Sequence, residues 1–350
     1  MTQIDSKKIE TLNSIISDNS TFVLVAHIRP DGDAIGSTIA LREYLSKTRG
    51  KKATIIYPEP LPSTLSFMLE CIDRGDVTDY TTDKDRADKL IACADVIFCM
   101  DCNSFSRTGA MENALRAASA IKILIDHHLN PDEKAFDLVF SEQEVSSASE
   151  YLYHILMQMP DIGGDASRIP SLSATAMMTG MTTDTNNFAN SVYPSTFGMA
   201  SALMAAGVDR DAILSSLYNN YRENRMRLMG WLLHDNMEIT PEGIAFMVLD
   251  KACIDSYGIR EGETEGFVNL PLSIGKVKMS IFLKEDGEGF FRVSVRSKCG
   301  CSANACAIRY FHGGGHEHAS GGRLFFPLDI PTPSEAADYV RRLSHEFMGI

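Results

Sequence analysis

A single tryptophan occurs in 350 residues, and no apolar run approaches the ~20 residues that a bilayer span requires. The N-terminal stretch MTQIDSKKIETLNSIISDNS is polar and amphipathic. It has neither the continuous apolar core nor the small-residue cleavage site of a signal peptide. No membrane association is therefore expected, and a cytoplasmic location is. Positive charge is also scarce: 33 Lys and Arg stand against 46 Asp and Glu, a net charge of −13. Proteins that grip long nucleic acid by counterion release normally carry an excess of cations, so the balance argues against tight, long-tract binding but not against short oligonucleotides or mononucleotides in a local basic pocket. Eight cysteines without a secretory signal imply reduced thiols, not a disulfide framework. Cys299, Cys301 and Cys306 form C-x-C plus one distant cysteine, which is poor zinc spacing, and buried thiols are expected there. There is no internal repeat and no low-complexity segment.

The chain has what a core needs: 44% hydrophobic and 23% charged residues, at a length suited to two domains. Short apolar runs at Thr21–His27, Ala53–Tyr57, Asp95–Asp101 and Ile121–Asp126 read as buried strands. Helical patterns lie between and after them, at Ala34–Ser46, Ser146–Met159 and Leu172–Met181. Such alternation predicts an α/β domain on a mostly parallel sheet over residues 1–194. A helical, polar connector is expected over 195–238. A smaller α/β domain follows over 239–350, with strands at Ile244–Leu249, Lys278–Leu283, Phe290–Arg296 and Arg323–Phe326, a turn at Glu285–Gly289, and helices at Ala303–Tyr310 and from about Pro333.

The chemistry concentrates where the first-domain strands end. TFVLVAH ends in His27, with Asp31 and Asp33 just beyond. DVIFCMD ends in Asp101, and IKILID ends in Asp126, followed by His127 and His128. Ligands bind outside the carboxyl ends of strands in open α/β sheets. Carboxylates gathered there repel one another unless cations neutralise them, and a mixed Asp/His set without Cys suits Mn²⁺ or Mg²⁺, and less specifically Zn²⁺. Taken singly, each residue has a plain structural use: Asp31 as a turn residue in Pro-Asp-Gly, Asp33 as a cap for a helix starting at Ala34, and His128 as a hydrogen-bonded surface or core residue. Their joint occurrence at three strand ends is what the structural uses leave unexplained. Asp184 is by spacing no better than a loop residue.

These segments resemble the DHH phosphoesterase family. The triplet is Asp126-His127-His128, the first motif runs from His27 through Asp31 and Asp33 to Gly36-Ser37, the second is Asp101 with Ser104, Arg107 and Gly109, and the fourth is Asp184-Thr185. The C-terminal part resembles the companion DHHA1 domain through Gly313-Gly314-Gly315-His316 and, before it, Arg296-Ser297. The likeness covers nearly the whole chain. It departs at Ala319-Ser320-Gly321, where Ala-Ala-Gly is usual.

The resemblance implies a hydrolase with two metal ions, typically manganese, with Mg²⁺ or another divalent ion as a substitute. His27 and Asp31 would hold one ion, Asp33, His127 and Asp184 the other, and Asp101 would bridge them. His128 would face the substrate phosphate, and Asp126 would orient an imidazole. Arg296, Ser297, Gly313, Gly314, Gly315 and His316 would bind the nucleotide. Two-domain members of this kind trim very short oligoribonucleotides or dephosphorylate adenosine 3′,5′-bisphosphate, so short RNA or a small nucleotide is the expected partner, with a homodimer left open. Cyclic or linear dinucleotides, pyrophosphate or polyphosphate, and non-catalytic nucleotide binding are the alternatives.

Overall fold

The computed structural model describes residues 4–62, 64–287 and 289–349 and divides the chain into two compact units, Met1–Asn220 and Tyr221–Ile350. In the first unit, helix α1 (Ser6–Asp18) precedes strand β1 (Thr21–Val25), helix α2 (Gly32–Glu43), strand β2 (Lys52–Tyr57) and strand β3 (Val77–Asp79). Helix α3 (Lys84–Cys93), strand β4 (Val96–Met100), helix α4 (Glu112–Ala117), strand β5 (Ile121–Asp126) and strand β6 (Leu138–Ser141) follow. Helices α5 (Ala148–Gln158), α6 (Ser171–Asp184), α7 (Pro194–Ala205) and α8 (Arg210–Tyr218) complete the unit.

The six strands form one parallel sheet in the order β3-β2-β1-β4-β5-β6. Strand order reverses between β1 and β4, which opens a crevice at their carboxyl ends. The four strands expected from apolar runs are present. The short edge strands β3 and β6 are additional, and their mixed sequences VTD and LVFS carry too little periodicity to stand out.

Two apolar layers cover the sheet. One contains Leu24, Phe98 and Ile125 from the strands and Ile35, Ile39, Leu152 and Met177 from α2, α5 and α6. The other contains Val23, Ile97, Cys99 and Leu124 with Ile91 and Leu115 from α3 and α4. Helix α2 is buried at every position from Gly32 to Glu43. A Cβ on Gly36 would stand 2.5 Å from the Ala176 carbonyl oxygen, so glycine there lets α2 lie directly against the α6 backbone.

The second unit begins with helix α9 (Glu223–Trp231), then strands β7 (Glu238–Ile239) and β8 (Ile244–Leu249), helix α10 (Lys251–Tyr257), and strands β9 (Met279–Asp286) and β10 (Phe290–Ser297). Helix α11 (Ala303–Tyr310), strands β11 (Gly314–Gly315) and β12 (Ala319–Phe325), and helix α12 (Ala336–Met348) complete it. The sheet order is β11-β12-β10-β9-β8-β7, antiparallel except for the β8–β9 pair. Of the expected turn at Glu285–Gly289, Glu288 lies outside the described residues.

Strand β12 starts four residues before the expected Arg323, because Gly321 and Gly322 belong to it. A Cβ on Gly322 would stand 2.3 Å from the Phe311 carbonyl oxygen, so the glycines mark a close approach to the end of α11 and not a break. The stretch 195–238 is divided: Leu203, Ile213 and Leu217 bury into the first unit's core, and Leu228 and Leu232 into a cluster with Met247 and Phe282. Cys306 is buried, Cys301 half-buried and Cys299 exposed, so the expectation of burial holds for only part of that group, and all eight cysteines are free. No described helix is long and apolar enough to cross a membrane.

Candidate metal centre

The β1/β4 crevice receives side chains from both strand ends. His27 follows β1, and its Nδ1 lies 2.7 Å from the carbonyl oxygen of Ile28. A donor at Nδ1 leaves Nε2 as the lone-pair nitrogen, and Nε2 stands 3.4 Å from Asp101 Oδ2 and 3.8 Å from Asp31 Oδ2. Asp101 follows β4 with φ +52, a left-handed conformation uncommon outside glycine, and its N–H donates to the Ile125 carbonyl at 2.9 Å. That twist turns its carboxylate among three imidazoles. His127 Nε2 and His128 Nδ1 each lie 3.4 Å from Asp101 Oδ1.

Strand β5 contributes the last pair of imidazoles. Asp126, fully buried, accepts from His128 Nδ1 at 2.8 Å and from the His128 backbone N–H at 3.0 Å. It therefore orients His128. The His127 and His128 rings meet edge to face at 4.7 Å.

The capping role expected of Asp33 falls to Asp31, and Asp33 takes a different one. Asp31 caps α2, accepting from Asp33 N and Ala34 N at 3.1 Å, and the helix starts at Gly32, not Ala34. Asp33, inside the helix and fully buried, accepts from the first N–H groups of α5, Ala148 at 2.6 Å and Ser149 at 2.9 Å. A helix start is a natural seat for a carboxylate, because its first N–H groups have no intrahelical acceptor. Sequence reasoning missed this partner. Ser147, whose Oγ accepts from Glu150 N, is a readable cap signal for α5, but nothing local reveals what that N-terminus faces.

Asp184 is the last residue of α6 and not a loop residue. It arrives because α6 crosses α2 closely. A Cβ on Gly180 would stand 2.2 Å from Ser149 Oγ and 3.0 Å from Asp33 Oδ1, and one on Gly32 would stand 2.3 Å from Thr183 Oγ1. His127 Nε2 lies 3.7 Å from Asp184 Oδ2.

Three overlapping sets of potential ligand atoms result, each within 4.8 Å: His27, Asp31 and Asp101; Asp33, His127 and Asp184; and Asp101, His127 and His128. The donor chemistry fits a divalent cation. Asp101 Oδ1 is buried without a hydrogen bond, a costly state that an ion would relieve.

The electrostatics point the same way. Burial works against charge on His27 and His127, yet the Asp101 carboxylate, helped by Asp31 at His27 and by Asp184 at His127, pushes both imidazoles up to about 10. Burial would raise Asp101, but the neighbouring imidazoles of His127 and His27 hold it well below the usual carboxylate range. Burial, with the field of Asp101, pushes Asp33 up to about 7, and burial with Asp33 nearby pushes Asp184 well above its ordinary value. With protein groups alone, the cluster draws in protons as counter-charge, and a cation would take their place.

The remaining sequence-derived site residues lie in the second unit, around β10 and β12. Arg296 pairs in register with Ala319, and its Nη1 donates to the carbonyls of Val295 at 3.0 Å and Ser320 at 3.3 Å. It has no carboxylate partner among the described residues. Ser297 Oγ donates to the Cys301 carbonyl at 2.6 Å and lies 3.1 Å from His318 Nδ1. The N–H groups of Gly313, Gly315 and His316 donate within the unit, to Ala307 O, Asn304 Oδ1 and Ala319 O. Gly313 is also needed for packing, since a Cβ there would stand 1.9 Å from the Gly321 carbonyl oxygen.

Comparison with known proteins gives the same reading. Residues 21–181 match the model of the DHH family, N-terminal domain. A crystal structure of an exopolyphosphatase-related protein from Bacteroides fragilis superposes with a TM-score of 0.90 at 34% identity, covering 99% of this chain and 98% of that one. The Bacillus subtilis bifunctional oligoribonuclease and PAP phosphatase NrnA is 27% identical over 89% of this chain and 91% of its own length. A Streptococcus mutans protein described as a probable bifunctional oligoribonuclease and PAP phosphatase NrnA is 26% identical over 90% and 93%. With the strand-end Asp/His cluster assembled in one crevice and the match extending over at least 91% of each of these relatives, the chain belongs to the DHH family and is a phosphoesterase.

Proposed function

We propose that the chain hydrolyses short oligoribonucleotides and adenosine 3′,5′-bisphosphate with two divalent ions, manganese foremost. The observation that carries this reading is the crevice that gathers His27, Asp31 and Asp101 as one potential ligand set and Asp33, His127 and Asp184 as another, with Asp101 Oδ1 buried and without a hydrogen bond. His27 and Asp31 would hold one ion, Asp33, His127 and Asp184 the other, and Asp101 both. When bound, such ions lower the pKa of a water towards neutrality and neutralise phosphate charge. The chain's own groups do the rest. The Ile28 carbonyl fixes the tautomer of His27. Asp126 fixes the ring of His128, which is suited to stabilise charge on the reacting phosphate or protonate the leaving oxygen. Arg296, with Ser297 and the Gly313–His316 segment, would select the nucleotide, since a guanidinium matches the fork of phosphate oxygens.

The exopolyphosphatase-related description of the Bacteroides fragilis protein makes polyphosphate the second reading. A substrate panel decides between them: a short oligoribonucleotide, adenosine 3′,5′-bisphosphate, a linear dinucleotide, pyrophosphate and polyphosphate, each with manganese. Turnover of the first two well above the last two is the expected result. Preferential turnover of polyphosphate would replace the nucleotide reading.

A further inference from the structure

Arg107 is the side chain at the metal centre whose role the ligand set leaves unexplained. Its loop follows directly on the Asp101 turn, as a short helical segment over Phe105–Met111. The Arg107 carbonyl accepts the N–H of Ile28 at 2.8 Å, one residue after His27. Two residues on, Gly109 has φ +60, and Ile28 Cγ2 stands 2.7 Å from where a Cβ would be, so only a bare backbone lets the loop close on Ile28. The loops after β1 and β4 are thus joined to each other, and Arg107 is held beside His27.

Arg107 is half-buried, and its guanidinium makes no hydrogen bond or ion pair among the described residues. A partly desolvated guanidinium without a partner is costly, most of all beside a carboxylate cluster that does not engage it. It is neither a metal ligand nor part of the core. Its five N–H donors match the oxygens of an anion that arrives later, and the anion suited to this crevice is a phosphate.

We propose that Arg107 is a substrate-binding residue that takes the non-bridging oxygens of the phosphate presented to the metal centre. The inference rests on the phosphoesterase reading and adds a contact within the first unit, independent of Arg296. Because the phosphate is common to every substrate, loss of Arg107 should impair esters with and without a base alike.

The experiment compares wild type, Arg107→Ala and Arg107→Lys, each loaded with manganese. Three quantities are measured: Mn²⁺ affinity, affinity for inorganic phosphate by calorimetry, and steady-state hydrolysis of a short oligoribonucleotide and of bis(4-nitrophenyl) phosphate. Arg107→Ala should lose roughly ten- to a hundred-fold in kcat/KM on both esters. Its phosphate affinity should fall, its Mn²⁺ affinity should hold or tighten, added guanidinium chloride should restore part of the rate, and Arg107→Lys should lie between. Undiminished phosphate affinity in Arg107→Ala would overturn the proposal, as would a loss that merely tracks Mn²⁺ release. If wild type hydrolysed no ester, the functional reading would fall while the phosphate titration still decided the case of Arg107.

Discussion

The carboxylate of Asp33 accepts the N–H of Ala148 at 2.6 Å across 115 residues of chain. This bond fastens one arm of the metal crevice, the start of α2, to the N-terminus of α5. Beneath it, Glu150 of α5 accepts from Ser146 N, Ser146 Oγ and Thr196 Oγ1, so the same helix start is held to its own preceding loop and to α7.

Glu150 should make the protein acid-sensitive in a defined window. Burial would raise its pKa, but bonds from His154, Ser146, Ser195 and Thr196 outweigh burial and bring it from 4.5 down to about 2. A depressed folded-state pKa contributes stability that is complete above about 4.5 and is lost as pH falls through about 2. The contribution is roughly 3 kcal/mol. Denaturant unfolding of wild type and Glu150→Gln between pH 6 and pH 2 checks it, with acid reducing the stability gap between them. Parallel curves would show that this carboxylate is not ionised in the fold.

Metal binding should release protons. In the metal-free centre His27 and His127 titrate near 10 and Asp33 near 7, so at neutral pH these groups carry protons that a cation must displace. Apparent Mn²⁺ affinity should therefore rise with pH from about 6 upward. Calorimetry in buffers of different ionisation enthalpy should record net proton release, and no buffer dependence would contradict it. Chelator-treated protein should lose hydrolysis and regain it with manganese, and Asp101→Ala should be among the most damaging single changes.

Gly36→Ala should strain the α2–α6 contact, since the new Cβ would meet the Ala176 carbonyl oxygen at 2.5 Å, a backbone atom that cannot rotate away. Overpacking of this kind costs about 1–3 kcal/mol. Thermal unfolding should show it, accompanied by weaker Mn²⁺ binding because Asp184 rides on α6. An unchanged melting temperature would mean that the helices part without cost.

His128 and Arg296 should separate chemistry from recognition. His128→Ala should lower kcat on a short oligoribonucleotide and on an aryl phosphodiester alike. Arg296→Ala should mainly weaken the oligoribonucleotide, by roughly ten- to a hundred-fold, with some kcat loss allowed because remote binding energy also positions the reacting centre. Equal impairment of both substrates by Arg296→Ala would remove its role as nucleotide selector and favour the polyphosphate reading.

Much of this protein was determined by sequence alone. Buried parallel strands announce themselves as continuous apolar runs, so β1, β2, β4 and β5 were readable, and with them the strand-end positions of His27, Asp101, Asp126, His127 and His128. Tertiary structure decided what those ends meet. Strand order is set by long-range pairing that no local pattern encodes, and it is the β1–β4 adjacency that brings His27 within 3.4 Å of Asp101. Asp184 looked like a loop residue because its place depends on how closely α6 can cross α2, which Gly36 and Gly180 permit only in the packed molecule. The part played by Asp33 depends on packing in the same way. Capping by Asp31 is local, whereas the acceptor role of Asp33 exists only once α5 has docked its N-terminus against it, because a helix start supplies unpaired N–H groups to whichever carboxylate the fold brings there.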